Sequence, residues 1–244
     1  MTELDFSNIY NSTGKIVQLR YAQKAVDAGS TIIAMRNSKG AVLIVSKPIV
    51  SKLYVQESDH RIKKVAENLH MAYTGILPDG FFITEICRKN ARNYKSQFQE
   101  DVNAKVFKET LGGYLYMFTQ YNSARVIGAN FLAIIKDGRD YKVIGADCAG
   151  KVTEYYGHAC GSGERRAQTE IEKFDLESME VMDLIDQGIK TLFKCYDSLS
   201  DVKFNVEVGM ISENTDGEFV RMHQANVDSI VEKYKDISID GEDD

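Results

Sequence analysis

Two hydrophobic periods take turns along this chain. Ile16, Leu19, Ala22 and Val26 recur at helical spacing, with Asn11, Ser12 and Thr13 as candidate caps before them and Gly29 as a stop. Two apolar runs follow, Thr31 to Met35 and Ala41 to Val45, separated by Asn37-Ser38-Lys39-Gly40. A turn signal between two such runs predicts a β-hairpin. Lys52 to Val55, Ile62 to Val65 and Leu69 to Gly75 also read as strands. Then the period lengthens. Pro78 and Asp79 open a helix with Phe82, Ile83, Ile86, Cys87, Asn90 and Tyr94 on one side. Asn103 caps a second, striped by Val106, Phe107, Leu111, Tyr114, Leu115 and Phe118.

Strands return at Ile127 to Ile135, Tyr141 to Ala146 and Val152 to Tyr156. A helix is expected after Gly163, and a clearer one from Ser178, where Val181, Leu184, Ile185, Gly188, Ile189, Leu192, Phe193 and Tyr196 keep steps of three and four. Phe204 to Ile211 reads as a last strand and Gln224 to Tyr234 as a last helix. Strands come in pairs and helices come in pairs, unlike the strict alternation of a doubly wound sheet. The pattern predicts an α+β fold: antiparallel sheets packed face to face, with helix pairs outside. No linker or repeat interrupts it, so one domain is expected over 1–239, with the acidic residues 240–244 as a disordered tail.

Composition narrows the class. The chain has 244 residues, 43% hydrophobic and 27% charged, enough for one sizeable core. A net charge of -6 leaves no strongly basic footprint for nucleic acid. No apolar run reaches the roughly 18 residues that a bilayer requires. Met1 to Tyr10 carries no basic n-region, so no secretory signal is read there and a cytoplasmic or nuclear location is expected.

Candidate chemistry is sparse. Cys87, Cys148, Cys160 and Cys195 are scattered, as are His60, His70, His158 and His223, so the expectation is reduced structural thiols and no metal. Cys160-Gly161-Ser162-Gly163 precedes a helix, but it lacks the lysine and spacing of a phosphate cradle and the G-x-S-x-G of a nucleophile elbow. It reads as a tight strand-to-helix turn. Gly112-Gly113 inside a helical stripe suggests a closely packed neighbouring helix. Lys63-Lys64 and Arg165-Arg166 read as solvated surface. No cofactor is implied.

Several segments, in consistent order, resemble proteasome alpha-type subunits. Gly14-Lys15-Ile16-Val17-Gln18-Leu19-Arg20-Tyr21-Ala22-Gln23-Lys24-Ala25-Val26, then Gly29-Ser30-Thr31, is similar to the family's amino-terminal signature. Ser51-Lys52-Leu53, Tyr73 to Gly80 and Tyr121 to Arg125 look most like its seventh alpha-type branch. The departures are Asn11-Ser12-Thr13 for Ser-Pro-Asp, Arg20 for Glu, and Val126 and Cys148 for two prolines.

The resemblance implies a four-layer α-β-β-α sandwich with an extra amino-terminal helix over 14–28, preceded by a gate segment at 1–13. It also implies a non-catalytic role in the outer ring of the core particle, serving ubiquitin-dependent degradation. Catalytic relatives begin at a processed threonine assisted by an acid and a lysine. Here Ser30-Thr31 lies behind a helix, with Lys47 and Arg61 at the acid and lysine positions. The alternative is an active amino-terminal-nucleophile hydrolase processed before Ser30 or Thr31; a third reading is a stand-alone binding module. The implied partners are other alpha subunits in a heteroheptameric ring, beta-ring subunits, assembly chaperones and the carboxyl-terminal tails of activators such as the regulatory particle. Gly14, Gly29, Arg61 and Ile76 align with the activator-pocket positions. Tyr21 and, allowing one deletion, Asp5 align with the gate-stabilising cluster.

Overall fold

The computed structural model describes residues 9–53, 55, 58–121, 124–196 and 202–235. The first helix, α1, spans Val17–Asp27. The hairpin of β1 (Ile32–Arg36) and β2 (Gly40–Pro48) pairs Ile32 with Val45 and Arg36 with Ala41. Next come β3 (Lys63–Ala66), β4 (Leu69–Gly75), α2 (Leu77–Phe98) and α3 (Ala104–Gln120). They are followed by β5 (Ala129–Asp137), β6 (Asp140–Ala146), β7 (Val152–Tyr155), β8 (Gly157–Cys160) and α4 (Glu164–Ile171). The chain continues through α5 (Val181–Cys195), β9 (Phe204–Ser212), β10 (Phe219–Arg221) and α6 (Gln224–Val231).

The strands form two antiparallel five-stranded sheets, ordered β10-β9-β2-β1-β8 and β3-β4-β5-β6-β7. Successive strand residues point to opposite faces, and here both faces are buried. On β1, Ile33 and Met35 pack with the apolar stripe of α5, while Ile32 and Ala34 face the other sheet. On β5, Phe131, Ala133 and Ile135 pack against α2 and α3, while Leu132 and Ile134 face inward. The result is the face-to-face pair of antiparallel sheets with helices outside that the pattern predicts, and the four-layer α-β-β-α sandwich that the resemblance implies. It also explains why these strands read as continuous apolar runs rather than alternating ones. Each Ile or Leu so buried contributes roughly 1.5–3 kcal/mol relative to exposure.

Helix α1 meets that sandwich through a narrow face against β4 and β5. Only Ala22 and Val26 are buried, and Ala22 joins Val126, Cys148 and the half-buried Leu19 in a small cluster of its own. Its expected cap is also different. Asn11 Oδ1 accepts from the Thr13 and Lys15 amides at 3.0 and 2.9 Å, organising a turn ahead of the helix, and Ile16 occupies the N-cap without a side-chain hydrogen bond.

Other boundaries moved for identifiable reasons. The 51–53 stretch and Val55 are not strand; Leu53 and Val55 are exposed and belong to neither sheet. Strands β8 and β10, missed in the pattern, exist because β1 and β9 offer them edges. Helix α5 starts at Val181; Leu176–Ser178 is a separate single turn. Gly112 meets Val152 and Gly150 rather than a neighbouring helix, and Gly113 meets nothing. Asn103 caps α3 as expected, accepting from the Val106 amide at 2.9 Å. The acidic tail and most of the gate segment lie outside the described residues.

Candidate functional site

The start of β1 is a corner built by hydrogen bonds. Thr31 is 7% exposed. Its Oγ1 accepts from the Gly163 amide at 2.9 Å and lies 3.3 Å from Ser162 Oγ. The tight turn expected at 160–163 is what brings these groups there. Gly161 has φ 100°, and a Cβ on it would sit 2.2 Å from the Ser30 carbonyl, so the turn requires glycine. On the other side, the Thr31 carbonyl accepts from the Ser46 amide and hydroxyl at 3.0 and 2.9 Å. Thr31, Ser30, Ser46, Ser162, Leu192 and Phe204 line a cleft of about 360 Å³. The Thr31 nitrogen is an amide following Ser30, so its lone pair is delocalised and supplies no base.

Lys47 and Arg61 do not join that corner. They line a separate cleft of about 450 Å³ with Val50, Val55, Asp59 and Leu77. Arg61 Nε donates to Asp59 Oδ2 at 2.8 Å, and Lys47 Nζ donates to the Asp59 carbonyl at 3.1 Å. The Arg61 backbone is fixed from below by Glu207 on β9. Its buried carboxylate accepts from the Arg61 amide at 2.7 Å and from Arg221 Nε at 2.8 Å. A guanidinium is charged throughout the accessible pH range, so Arg61 has the chemistry to pair with a carboxylate and not to shuttle protons.

Gly29 and Ile76 come together at the end of β4. A Cβ on Gly29 would lie 2.5 Å from the Gly75 amide nitrogen, so only glycine lets the exit of α1 approach so closely. The Ile76 amide donates to the Gly128 carbonyl at 2.8 Å. Behind Ile76, Asp79 receives Arg125 Nη1 and Nη2 at 2.5 and 2.6 Å and the Gly128 amide at 2.8 Å. Burial would raise the Asp79 pKa, but the Arg125 fork, the Gly128 amide and the Arg125 charge together hold it below the usual carboxylate value. Leu77 next door lines the Arg61 cleft, which links the two regions.

The remaining expected positions are more dispersed. Gly14 closes the Asn11 turn, its amide donating to the Asn11 carbonyl at 3.0 Å. A Cβ there would meet nothing. Tyr21 is exposed on α1, with Lys24 Nζ 6.0 Å from its ring centre. Asp5 lies outside the described residues. Asp59, Asp79 and Glu207 were missed, because nothing in the sequence pairs a carboxylate with a distant partner. The Asp59-x-Arg61 spacing was the one available signal.

Among the described residues, no group of three or more His, Cys, Asp or Glu could hold a metal ion, and no helix is long and apolar enough to cross a membrane. All four cysteines are free, and burial pushes the Cys87 thiol up to about 12.

A threonine thus stands just ahead of the first strand of a two-sheet sandwich with helices outside both sheets, and the sequence that builds it matches a known family. The chain belongs to the proteasome subunit family, whose model, described as proteasome subunit, matches residues 26–211. Within it, the chain is similar to a protein named probable proteasome subunit alpha type-7 of Encephalitozoon cuniculi. The two are 37% identical over 241 residues, covering 98% of this chain and 99% of that protein. It is also similar to proteasome subunit alpha type-3 of Drosophila melanogaster, 30% identical over 230 residues, covering 93% of this chain and 88% of that one. Probable proteasome subunit alpha type-7 of Saccharomyces cerevisiae is 29% identical over 217 residues, covering 86% of this chain and 75% of the yeast protein.

Proposed function

We propose that this chain is a non-catalytic alpha-type subunit of the proteasome core particle, serving in the outer ring as a structural element and as part of the pore gate. The observation that carries inertness is the state of Thr31. A catalytic threonine of this fold needs a free amine and a free hydroxyl. The nitrogen here is an amide, and the hydroxyl accepts from the Gly163 amide, with Lys47 and Arg61 held in a different cleft. Replacing Thr31 by Ala in the assembled particle should leave peptidase activity within about twofold, the scale of an indirect effect well under one kcal/mol. Complete loss of activity with normal assembly would overturn this reading. The rival, an active hydrolase processed before Ser30 or Thr31, is tested by intact mass: cleavage there would support it, and a retained amino terminus excludes it.

The same reading gives Gly14, Gly29, Arg61 and Ile76 to a pocket for activator tails, completed by a neighbouring subunit. Tyr21 and Asp5 go to the gate cluster. Two features support it. The Arg61 cleft is cationic and flanked by Val50, Val55 and Leu77, as a peptide end with a carboxylate would need. Leu77, the residue after Ile76, lines that cleft, and Gly29 packs against Gly75 just before Ile76. The expected partners are alpha and beta subunits, assembly chaperones and activators, in cytoplasm and nucleus, in ubiquitin-dependent degradation. A native mass spectrum of the endogenous complex tests this membership; a soluble monomer in cells would refute it.

A further inference from the structure

We propose that Asp59 is a built-in competitor at the Arg61 cleft, occupying one edge of the guanidinium and so setting how tightly the cleft takes the terminal carboxylate of a peptide tail. The proposal rests on the reading of that cleft given above. Asp59 is held for this role at both ends. Its carbonyl accepts from Lys47 Nζ at 3.1 Å, and its carboxylate accepts from Arg61 Nε at 2.8 Å. Arg61 cannot swing its backbone away, because its amide is bound to the buried Glu207 at 2.7 Å. The contact is therefore local, between groups two residues apart, and costs little chain entropy to keep closed.

A guanidinium can take a carboxylate on two kinds of face: end-on through both Nη atoms, or side-on through Nε and one Nη. Asp59 closes the side-on face. The two Nη atoms of Arg61 make no hydrogen bond to any described residue, so an incoming carboxylate meets the end-on face. It also meets a charge already half-answered. The Asp59 carboxylate sets one negative charge directly beside the Arg61 guanidinium in the cleft wall. The Arg61 side chain is 19% exposed and that of Asp59 46%, so water screens the Asp59 charge in part and an incoming carboxylate still feels the rest.

The test uses core particles carrying this subunit, titrated with a peptide that ends in a free carboxylate, with its amidated form as control. Occupancy of this cleft is read by electron cryomicroscopy. Asp59→Asn keeps the shape and an acceptor oxygen but removes the charge. It should tighten binding by about three- to fivefold, the scale of a half-exposed ion pair. Asp59→Ala should tighten it at least as much. Unchanged binding in Asp59→Asn, or weaker binding in Asp59→Ala, would overturn the proposal and make Asp59 a positioning residue. Arg61→Gln should lose the carboxylate preference in every background. If Arg61→Gln leaves occupancy unchanged, the reading of the cleft itself fails, which is a different result from a silent Asp59.

Discussion

Replacing Arg125 by Ala should destabilise the fold in a way that depends on pH. Arg125 grips Asp79 with two bonds at 2.5 and 2.6 Å. The Asp79 side chain is only 6% exposed and that of Arg125 is 65% exposed. Removing one partner of a fully buried pair costs about 3–5 kcal/mol, because the other charge is left unanswered. Here the cost is smaller. The Gly128 amide still donates to Asp79, and water reaches the space that Arg125 vacates. About 2 kcal/mol is the expected loss, or about 4–8 °C in Tm for a chain this long. The sign with pH follows from Asp79, whose carboxyl lies below its ordinary value of 3.8 in the folded protein. Its contribution is fully present above the unfolded value and is lost as pH falls through the folded one. The gap between wild type and Arg125→Ala should thus be widest near neutral pH and close below about pH 4. Thermal unfolding followed by circular dichroism from pH 7 down to pH 3 measures it, with Arg125→Lys, which keeps the charge but not the fork, falling between. An equal gap at both ends of that range would refute the electrostatic account and leave only lost packing.

Two further expectations can be checked alongside. His70 is buried, stacked on Phe219 with ring centres 3.7 Å apart, and burial, reinforced by Lys64 and Arg221, lowers its pKa to about 3. It stays neutral in the fold but takes a proton below about 6.5 when unfolded, so stability should fall with pH across that window. His70→Phe should remove about 1.4 kcal/mol per pH unit from that slope, read from urea unfolding; an unchanged slope would show that His70 is not its source. Deleting residues 1–28 should prevent ring incorporation, because an amphipathic helix with only two buried residues needs a neighbour's surface to cover it. Normal rings formed from the truncated chain would count against that.

What the sequence determined by itself was whatever depends on near neighbours along the chain. Continuous apolar or strand-like runs marked the hairpin of β1 and β2 and strands β3 to β7 and β9, and periods of three to four marked the helices. Asn103 fixed the start of α3 with its own side chain, and Gly161 the turn into α4. Pairing the elements gave the sandwich, because strands that are apolar on both faces must be covered on both. The tertiary structure alone decided whatever depends on a distant partner. Short β8 and β10 are strands because they pair with β1 and β9, while the 51–53 stretch, equally strand-like in composition, pairs with neither sheet and stays loop. Asn11 turned from cap to turn former once Ile16 took the helix start. The charged groups of the candidate site were the least legible of all. Glu207 meets Arg61 across 146 positions and Asp79 meets Arg125 across 46, and no local pattern records such a meeting. A carboxylate's role is set by the charge beside it and the water around it, and folding supplies both.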